Sequence, residues 1–355
     1  MFPRLIILPL ALILLTANAH GLTDLRGVRM ELPNLFDEWT PRQIVENVAS
    51  ANLNAILCTV HPSILQDQRF AEMLKSAHAR GISVHVVIST IVADAITAAP
   101  PQPDPASNAV DSSGRLVAEW LCPAKPVVRQ WVLDFARQLA ALEIDGLQLD
   151  YIRFGPPDLC HCGVCSRESR RWLQQHSGKS REDWRESVIT SLAEDVRRAV
   201  KGIRPGILFS CSTWTVGEGQ RRTHLTPEGE GYAWKQGQDF ASLCDRVDFL
   251  RPMLYACMLG KDSKWIVEMT RLAVKNAAGR TAIIPGIALS IEEPWKKCQM
   301  PPGELGRIIP KLLDAGAAGV AIFSYQSLFS PRYSSSDYLE EVRRAFSRRI
   351  TVNRE

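Results

Sequence analysis

The chain has 355 residues, of which 46% are hydrophobic and 23% are charged, and its formal net charge at pH 7 is +4. This composition is typical of a globular protein with a large core, and it excludes a disordered or low-complexity chain. Basic residues are scattered among acidic ones, so the sequence has no basic patch that would indicate nucleic-acid binding. The length allows two average domains or one large barrel.

The first 19 residues have the pattern of an export signal. Arg4 supplies a positive charge, and Leu5–Leu15 is an unbroken apolar run that is too short to span a bilayer comfortably. Ala17–Ala19 then provides small residues for cleavage before His20. An uncleaved N-terminal anchor is the alternative. We therefore expect a periplasmic or secreted protein, with a signal peptide over residues 1–19 and no stable membrane insertion after cleavage.

Eight short apolar runs alternate with helical patterns along the rest of the chain. Each run is rich in Val, Ile, Leu or Phe, as expected of a strand that is buried on both faces of a parallel sheet. Eight such units predict a single-domain α/β fold, a closed (β/α)8 TIM barrel over residues 22–350. The predicted strands are Leu25–Leu32, Asn54–Val60, Ile82–Thr90, Ile144–Phe154, Ile207–Trp214, Val247–Tyr255, Ala282–Leu289 and Ala318–Tyr325.

The connections that follow the strands are long, whereas those that follow the helices are short. The longest cover residues 91–125, 155–166, 215–232 and 290–303. In a barrel these connections lie together at the carboxyl ends of the strands, where barrel enzymes have their active sites. We expect Pro100–Gly114, within the first of them, to form a flexible flap.

The fourth predicted strand, Ile144–Phe154, contains the best candidate for a catalytic residue. Side chains alternate along a strand, so Gln148, Asp150 and Ile152 share a face, and we expect that face to point into the barrel. A carboxylate there is costly to bury unless it is paired or used. Arg153 is close enough in sequence to pair with Asp150 or to hold a substrate oxygen. The alternative is an Asp–Arg pair that only orders the loop.

The segment Asp150–Phe154 is similar to the Asp-Tyr-Ile-Arg-Phe segment on the fourth strand of glycoside-hydrolase-like barrel families, including family 10-like extracytoplasmic proteins. Asp248–Tyr255 resembles their sixth-strand Asp-x-x-x-Pro-Met-x-Tyr pattern, and Arg26–Val28 and Trp120–Pro123 fit the same style. The similarity extends from about Leu25 to Tyr325. This resemblance implies a glycosidase barrel in which Asp150 is the nucleophile or an electrostatic stabiliser.

Glycoside hydrolysis normally requires a second carboxyl group, which serves as acid and base. Glu218, in the loop after the fifth strand, is placed like the acid of fifth-strand-acid barrels, and Glu292 after the seventh strand is the other main candidate. Further acids near strand ends are Glu31, Asp94 and Glu293. A solvated loop residue is the alternative for each of them. Without a second acid, the chain would be a carbohydrate-binding barrel that lacks catalysis.

Aromatic and polar residues at the strand ends predict a carbohydrate-binding mouth. Aromatic rings offer flat faces to sugar rings, and polar side chains supply hydrogen bonds, although core packing is an equal alternative for any one aromatic residue. His61 precedes Pro62, which favours a fixed position at the mouth. The predicted substrate-binding residues are Arg29, Glu31, His61, His85, Gln148, Arg153, Trp214, Arg251, Tyr255 and Tyr325.

Three cysteines in the pattern Cys-x-Cys-x-x-Cys, Cys160, Cys162 and Cys165, follow the fourth strand closely. With a fourth ligand, Cys122 or His161, they could bind a structural zinc ion, and similar zinc-binding clusters occur in some barrel glycosidases. A disulfide between two of them is the alternative, which export permits. Either would support the loop after Asp150, and no cofactor is expected for catalysis. We interpret three other cysteines as small buried apolar residues: Cys58, Cys211 and Cys257.

A metal-dependent hydrolase of the amidohydrolase type is a weaker interpretation. Such barrels have a His-x-His pattern on their first strand, and Leu25–Leu32 contains no histidine. Convergence of His61, His85 and Asp150 on one point would favour this interpretation.

Overall fold

A computed structural model of the protein describes residues 24–32, 34–97, 103–156, 159–214, 235–291, 298–301, 303–330 and 336–352. The predicted signal peptide lies outside these residues, as do Glu218, Glu292 and Glu293. The strands are β1 (Leu25–Glu31), β2 (Ala55–Thr59), β3 (Ser83–Ser89), β4 (Asn108–Val110), β5 (Leu116–Leu121), β6 (Gly146–Asp150), β7 (Leu208–Thr213), β8 (Phe249–Pro252), β9 (Ala282–Ile283), β10 (Gly286–Ala288), β11 (Ser290–Ile291), β12 (Cys298–Gln299) and β13 (Gly319–Phe323).

Helices alternate with these strands along the chain. The α-helices are α1 (Pro41–Ser50), α2 (Gln68–His78), α3 (Ala93–Thr97), α4 (Pro126–Ala140), α5 (Gly163–Gln175), α6 (Arg181–Ile203), α7 (Phe240–Cys244), α8 (Ser263–Ala277), α9 (Glu304–Asp314), α10 (Tyr325–Phe329) and α11 (Ser336–Val352). Side-chain caps define several starts: Thr40 and Ser180 each form a capping box, at α1 and α6. These caps satisfy backbone N–H groups that the first helical turn leaves without partners.

The main sheet is parallel and closes into a barrel. Its strand order is β10-β13-β1-β2-β3-β6-β7-β8-β9. β9 and β10 are two parts of the seventh barrel strand, separated by Ile284 and Pro285. β9 pairs with β8 and β10 pairs with β13, so the seventh strand joins the sixth and the eighth. The predicted single-domain (β/α)8 barrel is therefore confirmed.

The barrel interior has two layers that differ in polarity. The amino-terminal layer is apolar and is formed by Leu25, Ala55, Leu57, Val87, Phe249, Ala282, Ile284 and Ala321. The carboxyl-terminal layer holds buried polar side chains, among them Arg29, Gln148, Asp150, Ser212 and Arg251. A second, larger apolar core includes residues of the strands' outward face and of the helices that cover them. Burial of both apolar cores stabilises the scaffold. The polar layer lies at the carboxyl end of the strands, where barrel enzymes have their active sites.

Three side chains fasten the amino-terminal end of the barrel. Asn54 Oδ1 accepts a hydrogen bond from the Arg26 backbone N–H, one strand away. Asp145 Oδ2 accepts a hydrogen bond from the Val84 backbone N–H, and Asp248 Oδ2 accepts one from the Phe209 backbone N–H, each at 2.7 Å. Asp248 belongs to the sixth-strand motif of the sequence, and the structure gives it this role far from the mouth.

The structure corrects two details of the sequence prediction. The fourth barrel strand ends at Asp150 rather than at Phe154, so Ile152 does not continue the alternation that Gln148 and Asp150 share. The expected flap from residue 103 onward instead forms the β4–β5 hairpin, where Asn108 is buried and donates to the backbone of Val117 and Ala118. Side-chain hydrogen bonds to the backbone order this loop in spite of its composition.

The cysteines outside the Cys160–Cys165 segment divide into two groups. Cys58 and Cys211 are free and buried, as predicted. The prediction for Cys257 was wrong: it forms a disulfide with Cys298, which joins the loop after β8 to the β11–β12 hairpin. In the sequence, Cys298 falls within the long connection 290–303, which has no apolar periodicity, so no local pattern indicated this pairing. Among the described residues, no helix is long and apolar enough to cross a membrane.

Candidate functional site

The floor of the candidate site is a charged cluster of Asp150, Arg29 and Arg251 inside the barrel. Asp150 is the last residue of β6, and its side chain meets Arg29 of β1, with Arg29 Nη2 at 3.0 Å from Asp150 Oδ2. Arg251 Nη2 of β8 lies 3.8 Å from the same oxygen. The exposed fractions of Asp150, Arg29 and Arg251 are only 6%, 4% and 1%, so water screens these charges weakly.

The two arginines keep Asp150 ionised in spite of its burial. Burial by itself raises the pKa of the carboxyl group, because a charge is less stable away from water. The charges of Arg29 and Arg251 and the N–H of Tyr151 outweigh that effect, and the pKa of Asp150 lies below its ordinary value. Asp150 is therefore suited to act as a nucleophile or as an electrostatic stabiliser, and not as the proton-donating acid.

Polar side chains on the neighbouring strands hold the arginines in place. Ser212 Oγ accepts a hydrogen bond from Arg251 Nη2 at 2.8 Å and another from Gln148 Nε2. Thr59 Oγ1 accepts one from Arg29 Nε at 2.8 Å. These bonds orient both guanidinium groups before a ligand arrives, as a pre-organised site requires.

The backbone turns sharply directly after Asp150. Tyr151 has a φ of 49°, in the left-handed region that costs a residue with a side chain roughly 1–2 kcal/mol. In this conformation the Tyr151 N–H donates to Asp150 Oδ1 at 2.9 Å. Backbone strain of this kind is frequently found at functional sites, where the surrounding structure maintains it.

The rim beside Asp150 is an aromatic group around Arg153. The Arg153 guanidinium lies 4.9 to 5.3 Å from the ring centres of Trp120, Tyr151 and Trp214. The three rings are half-buried, so each keeps a face or an edge in contact with solvent. The prediction that Arg153 is the partner of Asp150 was wrong, because the strand ends before it and its side chain turns into the aromatic group.

The opposite rim contains Tyr255 and Phe323, whose ring centres are 5.5 Å apart. Both side chains are half-buried, and Phe323 is directly beside Arg29 in the β1–β13 register. Tyr325, in contrast, was wrongly predicted at the mouth. It is the first residue of α10, is fully buried against Trp39, and its hydroxyl contacts Asn47 Nδ2 at 2.7 Å.

Three other predicted residues are at different heights in the barrel. Glu31 ends β1 with an exposed side chain, on the same face as Arg29 by strand alternation. His61 is half-buried and caps the short helix that begins at Pro62, which confirms a fixed position after β2. His85 was wrongly predicted as a substrate-binding residue, because it is buried against Phe249 at the level of the apolar layer.

Burial lowers the pKa of His85 to about 4, so this side chain is neutral at pH 7. His61, His85 and Asp150 do not form a group that could hold a metal ion. Within the described part of the chain, one group of side chains could hold a metal ion, and it consists of cysteines. The structure therefore gives no support to a metal centre of the amidohydrolase type among these residues.

The cysteine group contains Cys122 together with Cys160, Cys162 and Cys165. All four are buried and free, and their Sγ atoms lie within 4.8 Å of one another. Cys122, at the end of the hairpin, completes the group in place of His161, which is exposed. Two backbone N–H groups point at the sulfurs: Val110 donates to Cys160 Sγ and Cys165 donates to Cys162 Sγ.

The cysteine group connects two loops that border the site. Cys122 follows β5, which carries Trp120, whereas the other three cysteines follow the turn at Tyr151. The Trp120 and Tyr151 rings, one from each loop, lie 5.9 Å apart at the rim. The cysteine group is thus placed to support the rim, and it does not contact Asp150 in the described structure.

Several residues that build the site were not predicted from the sequence. Phe323 and Ser212 could have been found from strand alternation, since they follow Ala321 and Ser210 at spacings of two residues. Gln238 Oε1 accepts a hydrogen bond from the backbone N–H of Trp214 at 2.8 Å, and Gln238 Nε2 donates one to the Ile152 carbonyl. These two bonds link two loops. Its position in an irregular segment gave no sequence signal.

Comparisons with known proteins identify the fold. No protein-family model matches the chain, and no curated protein matches it. Among solved structures, a β-galactosidase from Bacillus circulans sp. alkalophilus matches with a TM-score of 0.67 at 12% identity, over 93% of this chain and 56% of that one. The catalytic domain of a β-amylase from Paenibacillus polymyxa matches with a TM-score of 0.66 at 12% identity, over 92% and 99%.

An α-L-fucosidase isoenzyme 2 from Paenibacillus thiaminolyticus is also similar, with a TM-score of 0.59 at 14% identity, over 92% of this chain and 49% of that one. The chain thus spans about half the length of the galactosidase and of the fucosidase. At such low identities the likeness shows the fold alone. The chain has the same barrel fold as these three proteins.

Proposed function

We propose that the protein is a glycoside hydrolase that acts on the glycosidic bonds of an oligosaccharide or polysaccharide, with Asp150 as its nucleophile. The observation that carries this proposal is the position of Asp150, which is held between Arg29 and Arg251 at the carboxyl end of the fourth barrel strand. Carboxyl ends of barrel strands are where such enzymes place their catalytic groups. The similarity of the fold to glycosidase barrels and the resemblance of Asp150–Phe154 to their fourth-strand segment support the same proposal.

In the proposed reaction, a carboxylate oxygen of Asp150 attacks the anomeric carbon while the bond from that carbon to the leaving oxygen breaks. A second carboxyl group gives its proton to the leaving oxygen. Water then attacks the same carbon, loses a proton to the second carboxylate and releases Asp150 as the free carboxylate. Arg29 and Arg251 keep Asp150 in the unprotonated form that the first step needs.

We propose Glu218 as the second carboxyl group and Glu292 as the alternative. Both belong to long loops that follow barrel strands, and both lie outside the described residues. Glu31 is the third candidate, since it is exposed at the mouth on the same strand face as Arg29. Replacing each of these acids by Gln tests the candidates. The variant that lacks the true acid loses activity on substrates with poor leaving groups. It retains more of its activity on activated aryl glycosides, whose leaving groups need less protonation.

The half-buried rings at the rim provide the faces that a sugar would contact. Trp120, Tyr151 and Trp214 stand on one side, and Tyr255 and Phe323 on the other. Aromatic rings of this kind supply a large apolar area together with edges that hydrogen-bond or pack. We propose that these five residues, with His61 and Glu31, line the substrate site, whereas His85 and Tyr325 only pack the barrel.

A screen of aryl glycosides and polysaccharides tests the proposed activity. Purified wild-type protein is compared with Asp150→Asn and with Asp134→Asn, a matched change at a carboxylate whose side chain is 49% exposed on the outer helix α4. We expect release of aglycone or reducing ends by wild type and Asp134→Asn, and almost none by Asp150→Asn. Equal activity in all three proteins, or binding of sugars without any cleavage, contradicts the proposal; the latter result identifies a carbohydrate-binding barrel.

We also propose that Cys122, Cys160, Cys162 and Cys165 bind a structural zinc ion. Four thiolates in a buried group match the preference of zinc for tetrahedral sulfur ligands, and a Zn–S bond of about 2.3 Å puts the sulfurs roughly 3.8 Å apart. Cys122 Sγ lies 3.9 Å from Cys162 Sγ and 3.3 Å from Cys165 Sγ, which is close to that arrangement. The zinc would brace the rim loops and take no part in bond cleavage.

For localisation, we propose export with cleavage after Ala19, which leaves a periplasmic or secreted protein. The apolar run and the small residues of the leader support this proposal. Mass spectrometry of the mature N-terminus tests it, with His20 as the expected first residue. A mature chain that retains Met1 would contradict cleavage.

A further inference from the structure

The charged cluster at the floor of the site contains more positive than negative charge. Arg29 and Arg251 are both buried, and among the described residues each forms an ion pair with Asp150 alone. Two guanidinium groups therefore face one carboxylate. A buried positive charge without its own counter-charge is unfavourable, because burial removes its hydration and only attraction to a negative charge can replace it.

The hydrogen bonds of the two arginines show the same imbalance. Arg29 Nη1 and both Nε and Nη1 of Arg251 are buried without a hydrogen-bond partner among the described residues. Buried polar groups in native proteins nearly always have partners, and exceptions require an explanation such as a functional role. In this cluster, the nitrogens without partners belong to the residues that already carry the excess charge.

The barrel itself offers little to satisfy these nitrogens. Ser212 and Thr59 already accept one N–H each from Arg251 and Arg29. Gly286 has no side chain that could accept a hydrogen bond, and Arg251 Nη1 lies where a Cβ would stand, since an added Cβ there would lie 2.6 Å from Arg251 Nη1. Arg29 lies beside Phe323, whose half-exposed ring belongs to the rim. The surplus charge is therefore next to the place where a bound sugar would lie.

We propose that the sugar bound at this site carries an anionic substituent, a carboxylate or a sulfate, which contacts the partnerless N–H groups of Arg29 and Arg251. This inference rests on the proposed glycosidase function and narrows its substrate class to acidic glycans. A guanidinium group suits such a ligand, since its planar N–H groups can bind two oxygens of an oxyanion at once. The bound anion would balance the second arginine and satisfy its hydrogen-bond donors.

Binding of matched charged and neutral sugars tests the inference. Calorimetry compares galacturonate oligomers with their methyl esters, which have the same backbone without the charge, and a sulfated oligosaccharide with its desulfated form. We expect wild-type protein to bind the charged member of at least one pair ten times or more as tightly as its neutral partner. The pair that shows this preference identifies carboxylate or sulfate as the recognised group. Equal binding within both pairs overturns the inference.

Arg251→Lys and Arg29→Lys, with one control variant, show whether the arginines cause the preference. Arg251→Lys retains a charge but loses the fork of N–H groups, and it should reduce the preference for the charged sugar at least threefold. Arg137→Gln, a matched control on α4 whose side chain is 47% exposed, should retain the full preference. An unchanged preference in Arg251→Lys and in Arg29→Lys contradicts the role of these residues.

Failure of this inference can be distinguished from failure of the proposed activity. Asp150-dependent cleavage of neutral glycans, without preference for charged ones, would leave the glycosidase function in place and overturn the acidic substrate class. Arginine-dependent binding of charged glycans without any cleavage would support the anion site and overturn the catalytic function.

Discussion

Arg29 Nη2 and Asp150 Oδ2 lie 3.0 Å apart and connect the first barrel strand to the fourth across the barrel interior. β1 and β6 are not neighbours in the sheet, since β2 and β3 separate them. The contact therefore does not arise from strand pairing, and only closure of the barrel brings it about. The position and ionisation of Asp150 follow from this contact and from the second arginine, Arg251.

Removal of Arg29 should shift the pH dependence of activity. In Arg29→Met the pKa of Asp150 rises, because one of the two charges that lower it is lost. The carboxyl group then becomes protonated at a higher pH, so the acid limb of kcat/KM moves to higher pH. The pH profile of kcat/KM measures the shift. Arg137→Met should leave the profile unchanged, and an unshifted limb in a folded Arg29→Met protein would contradict the pairing.

Gly286→Ala should impair the site by displacing Arg251. The new Cβ would lie 2.6 Å from Arg251 Nη1, and this buried guanidinium has little room to move. We expect a loss of stability of about 1–3 kcal/mol, as for other overpacked positions, and a larger relative loss of activity. Denaturant unfolding and kcat/KM measure the two effects.

Gly202→Ala is the matched control for that change. Gly202 lies in α6, and nothing is within 4 Å of its added Cβ. This variant should retain activity and gain up to about 1 kcal/mol in stability, because Ala favours the helix over Gly. If Gly286→Ala behaves in the same way as Gly202→Ala, Arg251 does not depend on the space at Gly286.

Removal of one cysteine ligand should release the proposed zinc ion. Elemental analysis of wild-type protein should show about one zinc per chain, and Cys160→Ala should show almost none, with a Tm lower by several degrees. Cys211→Ala, at a buried free cysteine outside the group, should retain the zinc. Wild-type protein without zinc, or with a disulfide among these four cysteines, would contradict the proposal.

His85 should make the protein less stable in moderately acidic solution. Burial lowers its pKa from 6.5 to about 4, so between these pH values the unfolded chain binds a proton here that the folded chain does not. Stability from this residue is fully present above pH 6.5 and decreases as the pH falls toward 4, by up to about 3 kcal/mol. His85→Leu should remove this part of the pH dependence of unfolding by urea.

The control for that measurement is His176→Gln, at an exposed histidine on the surface after α5. It should retain the wild-type decline in stability between pH 6.5 and 4. An equal decline in wild type and His85→Leu would show that His85 is not the buried neutral group that the structure indicates.

The barrel could be predicted from the sequence because its signal is local and repeated. Each strand is a short apolar run, and all eight predicted runs contain an observed barrel strand. The strand ends do not carry such a local signal, and the fourth strand ends earlier than its apolar run. Tyr151 adopts a left-handed φ where the sequence continues as an apparent strand, and that one residue moves Arg153 away from Asp150. Such a turn depends on tertiary contacts, and the strand propensities of the residues do not reflect those contacts.

The candidate site could be predicted only in part, because its contacts join residues far apart in sequence. Alternation placed Asp150 inward, yet its pairing with Arg29 spans 121 residues and depends on barrel closure. The spacing of three cysteines indicated the cysteine group. The sequence left two choices for its fourth member, Cys122 and His161. Tyr325 was misplaced because the chain enters a helix directly after Phe323, and the residue at the mouth is therefore Phe323.

The most direct test of the account is anion rescue of Asp150→Gly, assayed with an activated aryl glycoside of the best substrate. The variant should lose at least about a thousandfold in kcat/KM while remaining folded by circular dichroism. Added azide should then restore turnover and yield a glycosyl azide, since azide takes the place of the missing carboxylate. Wild-type activity in the variant without azide, or a loss that no small anion restores, would contradict Asp150 as the nucleophile.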